Sequence, residues 1–295
     1  MVIRVTERSL SQNAMRGLHS NQGRLSQTEN QLTSGKQISR PSDSPTGTMT
    51  AMLLRSDLKT QDQYSRNAQD GVNWLNTIDS TLSSASDQTQ RVRDLMIQGM
   101  SAGAGGSDGA RAGIATEIEQ IRQSVIGLAN TRYIDRPVFG GTTGGGSAYD
   151  GAGNYIGDSG TVTRTVAEGT KVRVDSAGDD VFGTGDTQLF QVLNDVADHL
   201  RNDPSQLSDD LDRLDTALKG LQTAQATVGA RTNRVQTLQQ SADDRQVDLQ
   251  TQLSDVEDID LPKTITDMTL QQTAYQAALG ATAKVIQPSL MDFLR

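Results

Sequence analysis

Eight positions spaced seven residues apart, Leu207, Leu214, Leu221, Val228, Val235, Ala242, Leu249 and Val256, are all apolar. A sustained seven-residue repeat keeps one stripe of a helix against a partner and winds the pair left-handed. The span from Leu207 to Val256 contains no Pro and only two Gly, so nothing in it breaks the helix that the repeat predicts. At about 1.5 Å per residue that helix is a rod roughly 75 Å long. Compact catalytic domains seldom need such a rod. The repeat therefore points to a structural or assembly protein before it points to an enzyme.

Composition agrees. Only 34% of the 295 residues are hydrophobic and 3% aromatic, which suits thin helical seams better than a wide globular core. The net charge is −9 and the isoelectric point about 4.7. An acidic surface repels phosphate backbones, so nucleic acid is not expected as a partner. There is no Cys, which excludes disulfides, thiolate metal sites and Cys nucleophiles. The N-terminus has no apolar core or small-residue cleavage site of a secretory signal. No apolar run reaches the length of a membrane span.

Along the chain, Leu18, Leu25 and Leu32 lie seven apart in a helix predicted over 5–34, with polar Asn21 and Thr28 at the half-heptad positions. Gly35 is placed to stop it. In the connector that follows, Asp43 or Ser44 can cap the next helix and Pro45 fits its first turn. That helix, predicted over 46–100, has its seam at Leu75, Ile78, Leu82, Ala85, Thr89, Val92 and Met96, with Trp74 packing at the border. A third carries Ile114, Ile118, Ile121, Val125 and Leu128. The Gly-dense middle contains two alternating runs on either side of Ala167-Glu168-Gly169, which reads as a hairpin in a small β-rich insertion. Helical patterning resumes near Asp186 and includes Leu189, Val192, Leu193, Val196 and Leu200. Pro262 marks a break before the last helix, 261–287, whose predicted seam is Leu261, Ile265, Met268, Gln272, Tyr275, Leu279, Thr282 and Ile286. Pro288 is expected to end it before an apolar tip, 289–294.

The fold class expected is mainly α: a long coiled-coil or bundle rod built from both chain ends, with a small β-rich insertion domain. The segments are residues 1–45, an N-terminal coiled-coil helix and loop; 46–135, the first part of the α rod; 136–186, the Gly-rich insertion; 187–258, the second part of the rod; and 259–295, the C-terminal coiled-coil helix. Neither terminal helix can bury its stripe alone, so they must pair with each other or with other copies.

Chemistry finds little support. The two His, His19 and His199, lack the spacing of a metal site. The acidic clusters around Asp209–Asp215 and Asp255–Asp260 sit at helix ends, where carboxylates are solvated or act as caps. The glycine stretch after Gly140 lacks the phosphate-loop Lys-Ser/Thr, and no calcium-loop pattern appears. No catalytic, cofactor or metal site is expected, and the chain is read as not an enzyme.

Several stretches carry a family resemblance. Leu32-Thr33-Ser34-Gly35-Lys36-Gln37-Ile38, followed by Arg40-Pro41-Ser42-Asp43-Ser44-Pro45, resembles the N-terminal signature of the flagellin superfamily, and within it the family of hook–filament junction proteins. Ala129-Asn130-Thr131-Arg132 and Phe139-Gly140-Gly141 are similar to its exit into the variable region. Val228-Gly229-Ala230-Arg231-Thr232-Asn233-Arg234-Val235, the acidic stretch 253–260 and the tip 289–294 resemble its C-terminal motifs. Gln37, Ser44 and Pro262 depart from the family pattern.

The resemblance implies a structural subunit at the junction between flagellar hook and filament, outside the cell, exported by the flagellar type III route. It implies as partners an adjacent hook-associated junction protein, flagellin, further copies of this chain in a ring, and a cytosolic export chaperone. It also implies an assembly interface, for which Leu18, Leu25, Leu32, Leu279, Ile286, Leu290 and Phe293 are the candidates. A flagellin-type filament subunit is the alternative within the superfamily. An extracellular enzyme with its site in the insertion, or a bundle-type binding module, are the readings from other classes.

Overall fold

The computed structural model describes residues 7–101 and 108–293, with side chains described for residue 9 and over 12–101 and 109–283. The fold is mainly helical. Its elements are α1 (Glu7–Ser34), α2 (Pro45–Ser101), α3 (Asp108–Ala129), β1 (Arg132–Tyr133), β2 (Arg136–Pro137), β3 (Thr163–Ala167), β4 (Thr170–Arg173), α4 (Gly178–Phe182), α5 (Leu189–Asn202), α6 (Leu207–Glu257) and α7 (Leu261–Phe293). The chain divides into two compact units. The smaller comprises 1–60 and 246–295, the larger 61–245, so the boundary falls inside α2 and α6.

The larger unit has one continuous core. From α6 it takes Leu207, Leu214, Leu221, Val228 and Val235; from α2, every apolar seam residue predicted from Leu75 to Met96, with Thr89 buried among them. Thr89 has its hydroxyl satisfied by the Ala85 carbonyl at 2.7 Å. Such back-bonding lets a polar residue sit in an apolar seam. Polar ties also run from α2 to α6: Arg93 Nε to Asp215 Oδ1 at 2.8 Å and the Ser65 hydroxyl to Asp243 Oδ1 at 3.0 Å. Helix α3 packs against α5, whose Leu189, Val192, Leu193, Val196 and Leu200 are all buried. Asp203 caps the turn into α6 by accepting from the Ser205 N–H.

The β structure is small, as expected, and includes one hairpin beyond the one that the sequence predicts. Two hairpins, β1–β2 and β3–β4, are both antiparallel and two-stranded, and the second turns at Glu168-Gly169 as expected. Apart from α4, the rest is largely loop, fixed by side chains that replace a sheet's ladder. Asn130 Oδ1 accepts from the N–H groups of Ala148 and Tyr149 at 2.8 Å each, and its Nδ2 donates to the Tyr149 carbonyl. Asp158 accepts from the Thr142 N–H and hydroxyl and from the Gly160 N–H. Its core is not a separate one. Tyr149 and Phe182 pack on Phe190 of α5 at centroid distances of 4.9 and 5.3 Å, and Phe139 packs on Phe182 at 5.2 Å.

In the smaller unit α1 packs against α7. One expectation fails in α7. The helix does not end at Pro288 but runs to Phe293. A helix can continue past a proline at the loss of one backbone hydrogen bond and some straightness. Pro262, by contrast, sits in the first turn, where its missing N–H is harmless. Asp260 caps that turn, accepting from the Lys263 N–H at 3.1 Å.

Candidate assembly surface

Helix α1 turns one stripe toward α7. Ala14, Leu18, Asn21, Leu25, Thr28 and Leu32 are its buried or half-buried positions, alternating four and three. The stripe on α7 is Thr264, Met268, Gln271, Tyr275, Ala278 and Thr282. Between the two runs a hydrogen bond from the Thr28 hydroxyl to Gln271 Oε1 at 3.0 Å. Leu18, Leu25 and Leu32 thus lie where the heptad reading put them. The expected seam of α7 is displaced by one residue. Met268, Tyr275 and Thr282 face inward, but Thr264, Gln271 and Ala278 take the places read for Ile265, Gln272 and Leu279.

This displacement leaves α7 with a second apolar edge. Leu261 is 52% exposed, Ile265 45%, Leu279 43% and Leu270 68%. Met49, Met52 and Leu53, on the first turns of α2, are each more than 60% exposed. They leave no signal in the sequence because they form no long repeat. The side chains of Ile286, Leu290 and Phe293, the remaining interface candidates, lie outside the described residues.

A clamp closes the ends of α1 and α6. Gly35 ends α1 at φ +68°, the left-handed conformation that glycine adopts freely. Its carbonyl accepts from the Ile259 N–H at 3.1 Å, and the Gln37 N–H donates to the Glu257 carbonyl at 2.6 Å. The Glu257 carboxylate is buried, with Lys36 Nζ at 2.6 Å and Arg55 Nη2 at 2.7 Å. By sequence Glu257 is one acid of a solvated cluster; in the structure it is the acid of that cluster that is buried and paired twice. In the connector, Ser44 caps α2 through the Gly47 N–H. Asp43 folds back instead, and the Arg40 N–H, then the N–H and hydroxyl of Ser39, hold its carboxyl below the usual carboxylate range.

These surfaces present apolar edges, hydroxyls and amides rather than reacting groups. Among the described residues no cluster of three or more His, Cys, Asp or Glu is arranged to hold a metal ion, and no helix is long and apolar enough to cross a membrane. His199, in the larger unit, is a structural group. Its Nδ1 lies 2.6 Å from Asp210 Oδ2, and Arg213 takes the other oxygen of Asp210 at 3.1 Å while reaching Asp195 at 2.9 Å.

Comparison with known proteins places these features. Residues 5–140 match the model of the bacterial flagellin N-terminal helical region, and residues 211–294 that of the C-terminal helical region. Flagellar hook-associated protein 3 of Escherichia coli (strain K12) is 25% identical over 305 residues, covering 95% of this chain and 96% of that protein. Its counterpart in Salmonella typhimurium is 23% identical, covering 94% and 95%. The flagellar filament 33 kDa core protein of Treponema phagedenis is 25% identical, covering 90% of each. Among solved structures, Bacillus cereus FlgL superposes with a TM-score of 0.61 at 21% identity, covering 68% of this chain and 99% of that one. Flagellar hook associated protein-3 from Legionella pneumophila gives 0.61 at 14%, covering 70% and 98%.

Proposed function

The chain belongs to the bacterial flagellin family, and we propose that within it the protein is the structural subunit that joins the flagellar hook to the filament. The observation that carries this reading is the α1–α7 pair. Its two helices come from the opposite ends of the chain, and α7 keeps Leu261, Ile265 and Leu279 exposed beside the seam. An apolar edge of this kind suits burial against another subunit. Relatives named hook-associated protein 3 match over nearly the whole of both chains, as flagellins also do; the pattern around Pro45 and the tip 289–294 favour the junction over the filament.

In this reading the protein is not an enzyme. It is exported through the flagellar type III system, with a cytosolic chaperone shielding the apolar C-terminal helix beforehand. Outside the cell it forms a ring of copies between an adjacent hook-associated protein and flagellin. Leu18, Leu25, Leu32, Leu279, Ile286, Leu290 and Phe293 are its assembly residues. Its task is mechanical, since helical seams can shift contacts between a flexible hook and a stiffer filament without breaking a covalent bond.

The test is quantitative mass spectrometry of intact flagella sheared from the native cell. The junction reading expects a minor component, a few copies for very many of the bulk subunit. Recovery as the bulk subunit makes the chain a filament flagellin; absence from flagella overturns the assignment.

A further inference from the structure

The larger unit contains a cavity of about 360 Å³ between the segment 173–181 and α6. Its wall on α6 includes Gly220, Ala224 and Arg231; Arg173, Ser176, Asp180 and Val181 line the other side. Glycine inside a helix is disfavoured. At Gly220 an added Cβ would meet nothing nearer than the Val181 carbonyl oxygen at 3.8 Å, so it is the missing side chain that leaves this wall open.

Two polar groups at the cavity keep hydrogen-bonding capacity unused among the described residues. Arg231 donates from Nη1 to the Asp175 carbonyl oxygen at 2.7 Å. Among the described residues it forms no ion pair, and its Nε and Nη2 make no hydrogen bond. The carboxylate of the buried Asp175 is already held by Nε and Nη2 of Arg173 at 3.1 Å each and by the Val162 N–H at 2.8 Å. Burial, and then the charge of Arg173, hold the Arg231 pKa below the usual arginine value. Ser176 is only 8% exposed, and its hydroxyl has no partner among the described residues. The charges of Asp175 and Asp180 offset part of that lowering at Arg231, but Nε and Nη2 of Arg231 and the Ser176 hydroxyl keep hydrogen-bonding capacity that a guest in the cavity can use.

We propose that this cavity is a carboxylate-binding site, in which the Nε–Nη2 fork of Arg231 and the hydroxyl of Ser176 receive a carboxylate borne on a short aliphatic stem. The guanidinium fork matches the two oxygens of a planar carboxylate. Val181 and Ala224 offer the stem apolar contact. The exposed Asp180 on the rim disfavours a doubly charged guest such as phosphate. The carboxylate comes either from a free small molecule or from an Asp or Glu side chain of a neighbouring copy, and this acidic chain carries 36 such residues.

The experiment is titration of the full-length chain with propionate, read at the Arg231 Nε–Hε resonance by NMR, with inorganic phosphate as a parallel probe and self-association followed by sedimentation velocity. A saturable propionate shift is expected. Arg231→Gln should abolish it. Arg231→Lys keeps the charge without the fork and should weaken it, and Ser176→Ala should weaken it roughly fivefold. A fall in self-association on adding propionate assigns the carboxylate to a neighbouring copy; unchanged self-association assigns it to a free molecule. No saturable shift in the wild-type chain overturns the proposal. So does tighter binding of phosphate than propionate, or wild-type binding by the folded Arg231→Gln variant.

Discussion

The hydroxyl of Thr28 donates to Oε1 of Gln271 at 3.0 Å, joining residues 243 positions apart across the seam of α1 and α7. It is a polar contact in a stripe whose large side chains include Leu18, Leu25, Leu32, Met268 and Tyr275. A polar pair inside a helical seam selects one register at some cost in stability. Thr28→Val leaves the amide of Gln271 without this partner and should weaken the pair by about 1 kcal/mol. The double variant Thr28→Val, Gln271→Leu should recover that loss. Hydrogen exchange of α1 and α7 amides reads both, and a double variant weaker than the single would show that the contact does not set the register.

Leu25 and Leu279 separate two roles. Leu25 is half-buried against α7, whereas Leu279 is 43% exposed beside the seam. Leu25→Asp should loosen the α1–α7 pair in the isolated chain. Leu279→Asp should leave that pair intact yet still block incorporation into flagella, with the larger unit folded in both. Normal incorporation of Leu279→Asp, scored by motility and by mass spectrometry of sheared flagella, would remove it from the interface.

Glu257 is the buried partner of two cations whose own side chains are 42% and 52% exposed. Lys36 and Arg55 can turn to water when it is lost, so the cost is smaller than for a fully buried pair. Glu257→Ala should destabilise the smaller unit by about 1–2 kcal/mol. Protection of the Gln37 and Ile259 amides should fall with it, since both bonds belong to the same clamp. Unchanged exchange at those amides would mean that the backbone bonds hold without the carboxylate.

The hydrogen bond to Asp210 raises the pKa of His199, against the opposing effect of burial, and the charges of Asp210, Asp195 and Asp198 add to the rise. A folded-state value above the unfolded one of about 6.5 means that the protonated ring stabilises the fold. That stability is complete below the unfolded pKa and is lost as pH climbs through the folded one. The larger unit should therefore become less stable as pH is raised from about 6 through the His199 titration. His199→Gln should flatten this slope. Equal pH dependence of urea midpoints in the two proteins would refute the assignment.

The two-residue turn between β1 and β2 is made by Ile134 and Asp135 at φ +44° and +60°. Both angles belong to the left-handed region that a tight hairpin requires, and a β-branched residue is strained there. Ile134 is 72% exposed, so little packing offsets the strain. Ile134→Gly should stabilise the protein by about 1 kcal/mol, measured by urea unfolding, and a loss of stability would show that the side chain makes a contact worth more than the strain.

Much of the helical frame was legible. The stripe from Leu207 to Leu249 is buried at every seventh residue and Val256 is half-buried, because an uninterrupted heptad leaves a helix no other face to turn inward. The phase of α7 was not. Three overlapping rows compete there: 261, 268, 275 and 282; 264, 271 and 278; 265, 272 and 279. Residue size favours the third over the second, but the partner helix and the Thr28–Gln271 bond select the second. The β1–β2 hairpin was invisible for a simpler reason. Its turn carries Ile-Asp instead of Asn-Gly, the usual signal for that geometry. The loops held by Asn130 and Asp158 depend on contacts between distant residues, which no local pattern reports. The carboxylate pocket could not be read either, since Ser176, Gly220 and Arg231 have nothing in common until the fold juxtaposes them.

The bridge between Lys36 and Asp258 has a consequence for how such chains diversify. Everything from 38 to 256 departs and returns through one doorway whose jambs are hydrogen-bonded to each other. An excursion whose two ends arrive at that spacing, and that returns a cation to Glu257 where Arg55 now stands, can be grafted there without disturbing the pairing of α1 with α7. Length and sequence can therefore drift in the interior, as tolerated insertions do wherever their ends stay fixed, while the paired ends remain a standard fitting.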